Sequence, residues 1–367
     1  MKKVLIQILV ILLYAIGGGI CGYFGISFLD SSDHFILPLL FILFSFYISI
    51  FLQTIIHELG HMIFGLLSGY QFISIRFFNF TFIKEDEKLK VKSMKIPGTM
   101  GQCLMTIDHF QEPFPFVLYH LGGIFSNLIT AMITLILCFV INQPYVQTFF
   151  MSLSVFGIIS AITNAIPFIA ELDNDGTNVY NMIKYPITKY ACFQQLKIVE
   201  SINLGYSLKD TPEDYFTIYS HQDLKYSLCM SITVLACLRQ IDLGHYQKAY
   251  DLAEDILSHV FHINDNYRFI LKGTMIYNML LNDPQDSRIE IMRDKKYMKL
   301  SKLLSSDLTN LRVEYAYELL HNHNPIKATQ ILDKFNKITK TYPFEGEVIF
   351  EQNQINHIKE KNDNETE

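Results

Sequence analysis

The chain has 367 residues, of which 50% are hydrophobic, and carries a net charge of −6. That weak acidity, without a basic cluster or an aromatic platform, argues against a nucleic-acid partner. The six cysteines (Cys21, Cys103, Cys138, Cys192, Cys229 and Cys237) include no Cys-x-x-Cys pair. They read as small buried hydrophobes in a reducing setting, without a disulfide framework or a cysteine metal site. The averages hide a partition: residues 1–170 are very apolar and the rest is charged and polar. That pattern predicts a membrane domain followed by a soluble one.

Val4–Leu29 carries no charge. It lacks a convincing cleavage site, because Gly17-Gly18-Gly19 runs on into more apolar sequence, so it is expected to be a retained span. A second span runs from Phe35 to about Gly69. Residues 113–170 contain no Asp, Glu, Lys or Arg. Asn142-Gln143-Pro144 divides them into spans over Phe116–Ile141 and Tyr145–Ala170. Each span is long enough to cross a hydrocarbon layer of ~30 Å. Trp is absent, but 21 Tyr and 29 Phe can occupy the membrane interfaces.

Charge placement predicts orientation. Lys2 and Lys3 precede the first span, and the loop 30–34 has no Lys or Arg. Arg76, Lys84, Lys88, Lys90, Lys92 and Lys95 follow the second span, and Lys184 and Lys189 follow the fourth. All these cations fall on one side, so both termini are expected to be cytoplasmic. The expected setting is a multi-pass protein in a bacterial-type cell membrane.

Between the second and third spans, Tyr70–Ile96 alternates. Ile73, Ile75 and Phe77 make one set, Phe78, Phe80 and Phe82 a slipped one, and Leu89 and Val91 a third. With Glu85-Asp86-Glu87 as a polar turn, this predicts a β-hairpin with one greasy face at the membrane surface. Its role is either to plug the bundle or to offer a strand edge to an extended substrate.

Near its C-terminal end the second span carries His57-Glu58-Leu59-Gly60-His61. Positions i and i+4 share a helix face, so both imidazoles can hold one zinc ion, with Glu58 beside the water on that metal. Ionisable residues inside a membrane span cost several kcal/mol each, which marks all three as functional. Catalytic zinc usually has a third protein ligand and an open position. The fourth span ends Asn164-Ala165-Ile166-Pro167 and continues to Leu172-Asp173-Asn174-Asp175-Gly176. It reaches the same side as the motif. Asp175 is the preferred third ligand, because Gly176 gives the turn backbone freedom. Asp173 is the runner-up. His109 and His120 read as packing or interface residues.

This combination resembles the site-2 protease family of intramembrane zinc metalloproteases. The resemblance covers about Phe35–Tyr180. It implies a three-helix membrane core, with two histidine ligands and the base on one helix and an aspartate ligand from a later one. Two departures stand out: Leu172-Asp173 and Asp175-Gly176 are separate, and Gly122-Gly123-Ile124-Phe125-Ser126-Asn127 lacks the proline common in the middle helix. By analogy Asn127 and Asn164 would bind substrate backbone; alternatively, they only join helices. The resemblance implies zinc-dependent hydrolysis of peptide bonds in or near transmembrane or signal-peptide-like segments. The alternative is a catalytically silent membrane binding or accessory protein. Retention of His57, Glu58 and His61 favours the enzyme.

From about Pro186 the apolar spacing is helical. Tyr226–Ile241 makes one helix, and Gly244–Ala253 and Asn324–Leu332 share a pattern. Ala249 and Ala328 lie 79 positions apart. A middle copy near Pro284–Ile289 would give two steps of roughly 40 residues, in the helix-pair range. This resembles a short tetratricopeptide-like array, which would offer a peptide or protein partner a concave surface. The expected fold is mainly α, with a transmembrane metalloprotease domain over 1–185. A soluble cytoplasmic helical domain over 186–358 and a disordered tail over 359–367 complete it.

Overall fold

The charge-free stretches fold as long helices in the computed structural model, which describes residues 2–29, 36–85, 88–94, 99–167 and 173–366. Helices α1 (Lys2–Leu29), α2 (Ile36–Leu67), α3 (Phe116–Val140) and α4 (Pro144–Ala165) are each long and apolar enough to cross a membrane. A helix closes its backbone hydrogen bonds internally, which a hydrocarbon interior demands. The α3–α4 break behaves as its residues dictate. Gln143 caps α4 by accepting from the Val146 N–H, and Pro144 fills the first turn, where its missing N–H costs nothing. The expected loop 30–34, Asp86 and Glu87 of the polar turn, and Lys95 lie outside the described residues.

The chain divides into two units, 1–78 with 100–186 and 79–99 with 187–367. In the first, Cys21, Phe156 and Ile159 form a buried cluster with Tyr14, Phe46, Ile50 and Val155 against it. Gln53 Nε2 donates to Leu153 O at 2.8 Å, binding α2 to α4 through a side chain that apolar surroundings would otherwise strand. The unit also holds β1 (Gln71–Phe77) and β4 (Gly101–Thr106), antiparallel from Gln71↔Thr106 to Phe77↔Gly101. A short helix, α5 (Asp175–Lys184), follows the fourth span.

The stretch expected as a hairpin, Tyr70–Ile96, holds an antiparallel strand pair. That pair consists of β2 (Phe80–Glu85) and β3 (Lys88–Ser93). The Ile73–Phe77 alternation forms β1, one of whose antiparallel neighbours is β4. In the hairpin, Ile83 is buried while Phe80, Leu89 and Val91 are exposed, so one greasy face exists.

The hairpin groups with the C-terminal helices, where Ser93 N–H donates to Thr341 O at 3.0 Å. Those helices are α6 (Ile187–Asn203), α7 (Ser227–Asp242), α8 (Tyr246–His259), α9 (Asp265–Asn282), α10 (Arg288–Met292), α11 (Lys295–Leu303), α12 (Leu308–Ala316), α13 (Pro325–Thr339) and α14 (Glu345–Thr366). The helices expected at Tyr226, Gly244 and Asn324 correspond to α7, α8 and α13. At the expected middle copy there is only the five-residue α10. The stretch 359–366, expected as a disordered tail, is helical as the end of α14. Ile355 and Ile358 bury fully and anchor that helix, and Lys359, Glu360 and Lys361 are good helix formers that extend it.

Phe335 on α13 is fully buried in this unit. Phe335→Ala is expected to cost about 3–5 kcal/mol through lost transfer energy and a residual cavity. Circular dichroism melts of the purified protein check this. An unchanged transition would mean that α13 does not pack as described.

Candidate metal centre

Helix α2 carries His57, Glu58 and His61 at its buried end. One turn of spacing points both imidazoles the same way. Three glycines set the depth of this face. Gly123 on α3 lies under the His57 ring, where an added Cβ would come within 2.5 Å of His57 Cε1. Gly60 and Gly122 let the α2 and α3 backbones touch, since a Cβ on Gly60 would sit 2.4 Å from Gly122 O. Small residues at a membrane helix crossing permit this approach.

The outer nitrogen of each ring is held. Asn127 Nδ2 donates to Gln53 O at 2.9 Å and to Gln53 Oε1 at 2.7 Å. Its Oδ1 therefore faces His57 Nδ1, at 2.7 Å, and accepts a hydrogen bond from it. His61 Nδ1 lies 2.8 Å from Tyr119 O, a carbonyl that can only accept. Both Nδ1 atoms thus carry hydrogens, and in neutral rings both Nε2 atoms present lone pairs.

Those lone pairs meet. The two Nε2 atoms are 3.1 Å apart. Asp175 Oδ2 lies 3.1 Å from His57 Nε2 and 3.4 Å from His61 Nε2. Three acceptor atoms facing one another repel unless a proton or a metal ion stands among them. Two imidazoles and one carboxylate suit a first-row divalent ion with an open position. The donor set and its buried, convergent geometry fit such an ion.

Asp175 arrives from the start of α5. Asn174 caps that helix by accepting from the Thr177 N–H at 2.9 Å, so Asp175 falls in the first turn, where the helix dipole favours a carboxylate. Burial would raise the Asp175 carboxyl, but His61 and His57, when their rings are protonated, outweigh it and hold the group well below the usual carboxylate range. Gly176 is required for space rather than for backbone freedom. It is helical, and a Cβ there would fall 2.0 Å from Ala165 O at the end of α4. Asp173 does not join the converging atoms, and burial pushes its carboxyl up to about 6.

Beside the histidines, Glu58 packs against the first residue of β4. A Cβ on Gly101 would lie 2.4 Å from Glu58 Oε1. Arg76 of β1, itself buried, donates through Nη1 to Phe78 O at 2.7 Å and through Nη2 to Gly101 O at 3.3 Å. The β1–β4 pair therefore ends at the carboxylate.

The structure brings together His57, His61 and Asp175, with Glu58 alongside. Asn127 joins the site differently from the substrate-binding expectation. Its carboxamide is committed to His57 and Gln53, and its Oδ1 also accepts from Ser160 Oγ at 3.3 Å. Asn164 donates to Ser160 O one turn back on its own helix. Among the described residues, His109 and His120 lie outside the converging cluster. Sequence reasoning missed Gln53, Tyr119, Gly123 and Gly101. Gln53, a lone amide four positions before His57 in an apolar span, carried a readable signal. Tyr119 acts through its backbone carbonyl, which no residue type encodes.

No family model, curated protein or solved structure matches the chain. The ligand geometry and the chemistry of its donors therefore carry the functional reading.

Asn127→Ala is expected to weaken metal binding by about 10–100-fold, the usual effect of removing the partner that orients a ligand histidine. Equilibrium dialysis against zinc measures it. Wild-type affinity in this variant would show that Asn127 only joins helices.

Proposed function

We propose that the chain is an intramembrane zinc endopeptidase, hydrolysing peptide bonds in or near transmembrane or signal-peptide-like segments. One observation carries the reading: three lone pairs from His57, His61 and Asp175 converge on a helix long enough to cross a membrane, with a glutamate next to the first ligand. The resemblance to the site-2 protease family supports it.

His57, His61 and Asp175 would hold the zinc. When bound, the ion supplies a Lewis acid for the scissile carbonyl and lowers the pKa of water toward neutrality. Glu58 takes the proton of the attacking water and delivers it to the leaving amine. Asn127 and the Tyr119 carbonyl keep both Nε2 atoms aimed inward. A peptide bond in a regular helix is shielded, so the substrate must unwind locally, and Gly or Pro in its helix eases this. The unwound stretch would pair along β4, whose first residue adjoins Glu58. The helical unit would position substrate or receive a regulatory peptide or protein.

The test is metal analysis of the purified protein together with cleavage of a panel of co-expressed membrane segments. Expected are zinc near one equivalent in the histidine–aspartate site and cleavage that a chelator stops. Cleavage that survives removal of all metal overturns the proposal.

A further inference from the structure

We propose that His221, Asp255 and His259 form a second site, on the surface of the helical unit, for a divalent transition-metal ion such as zinc. Asp255 and His259 are one turn apart on α8, so their side chains rise from the same face. His221 comes from the segment that precedes α7. His221 Nε2 lies 2.7 Å from Asp255 Oδ2, and His259 Nδ1 lies 2.9 Å from Asp255 Oδ1. A donor atom from each residue lies within 4.8 Å of the others. A tetrahedral ion with bonds of about 2.1 Å sets its ligands about 3.4 Å apart, so small rotations complete the geometry.

Both sides of the site are anchored. The turn carrying His221 is closed by Ser220 Oγ donating to Asp223 Oδ2 at 2.6 Å. Two residues earlier, Tyr219 is buried, with its N–H on Thr233 Oγ1 at 3.1 Å and its hydroxyl on Gln194 Oε1 at 2.7 Å. On the other side, Ala253 and Ile256 seat α8 in the core. The ligand side chains, by contrast, are open: His221, Asp255 and His259 are 43%, 48% and 60% exposed. An ion needs no opening motion to reach them, and the rings, now stacked with centroids 5.0 Å apart, can turn toward it.

Imidazole and carboxylate donors select a borderline ion such as zinc, copper or nickel over calcium or magnesium. Binding needs no net proton release. Each neutral ring shifts its hydrogen to the nitrogen facing away from Asp255. The bound ion would clip the segment before α7 to α8. This inference does not depend on the proposed protease activity.

The experiment is a zinc titration of tag-free, chelator-stripped full-length protein in detergent. Wild type is expected to take two equivalents, one tight and one weaker. The double variant His221→Gln/His259→Gln should lose the weaker equivalent and keep the tight one. Asp175→Asn should do the reverse, so failure at one site is distinguishable from failure at the other. A ligand-conserving variant, His259→Cys, should give a thiolate-to-cobalt charge-transfer band when Co2+ is added. An unchanged zinc count in the double variant, or no cobalt band in the cysteine variant, overturns the second site.

Discussion

Glu58→Gln is expected to lower peptide cleavage by about 10²–10⁴-fold, the range for loss of a positioned general base. The zinc content should stay at the wild-type value. Both halves of the result matter. Gln keeps the shape of Glu and can still pack against Gly101, where the strand backbone leaves no room for a bulkier contact. The proposed ligands His57, His61 and Asp175 are separate residues, so the ion should remain. Only the capacity to accept a proton is lost. Retained cleavage in Glu58→Gln would remove the glutamate from the reaction. Loss of both zinc and cleavage would instead mean that Glu58 holds the site together.

Asp175→Asn is expected to weaken zinc binding by more than about 100-fold, beyond the effect of losing a residue that only orients a ligand. Cleavage should fall with it. The reason is electrostatic: the carboxylate supplies the one negative charge among the three converging atoms. Without it, two neutral imidazoles remain, a set too weak and too incomplete for a catalytic site. Asp173→Asn should retain zinc and activity, since Asp173 stands outside the cluster. The reverse pattern, with Asp173 essential and Asp175 dispensable, would overturn the ligand assignment. Metal content and cleavage, measured on the same preparations, decide it.

The membrane helices were readable because their signal is local. A run without charge from Val4 to Leu29, or through residues 113–170, has few structural alternatives. The His57–His61 pair was readable for a related reason, since helix geometry converts a spacing of four into a shared face. Asp175 was harder. The sequence narrowed the third candidate ligand to two aspartates, and the details that bring Asp175 to the histidines are three-dimensional. Asn174 caps α5, and Gly176 fits beneath Ala165 O. The reason given for the glycine needed replacing, because the position requires the absence of a side chain rather than an unusual dihedral.

Strand pairing was the least legible part. The β1 alternation was visible, but its partner, Gln102-Cys103-Leu104-Met105-Thr106, alternates too weakly to announce a strand. Pairing depends on a register 20 or more positions away in the chain, which the local pattern does not carry. Likewise, no composition rule says that the Tyr119 carbonyl, rather than a side chain, would hold His61.

The candidate ligands are also ordered in time. During synthesis His57 and His61 emerge with the second span and Asn127 with the third. Asp175 follows only after the fourth has been made. The nascent chain therefore carries a two-imidazole half-site, already aimed by Asn127, well before it carries the charge that completes the set. On the proposed reading, stable metal capture would be a late event in biogenesis, and hydrolysis would begin only once the bundle is whole. Ribosome-arrested chains ending before Asp175 are expected to hold no chelator-resistant zinc, and chains arrested well beyond it should hold it. Early retention of zinc would show that the histidines alone suffice.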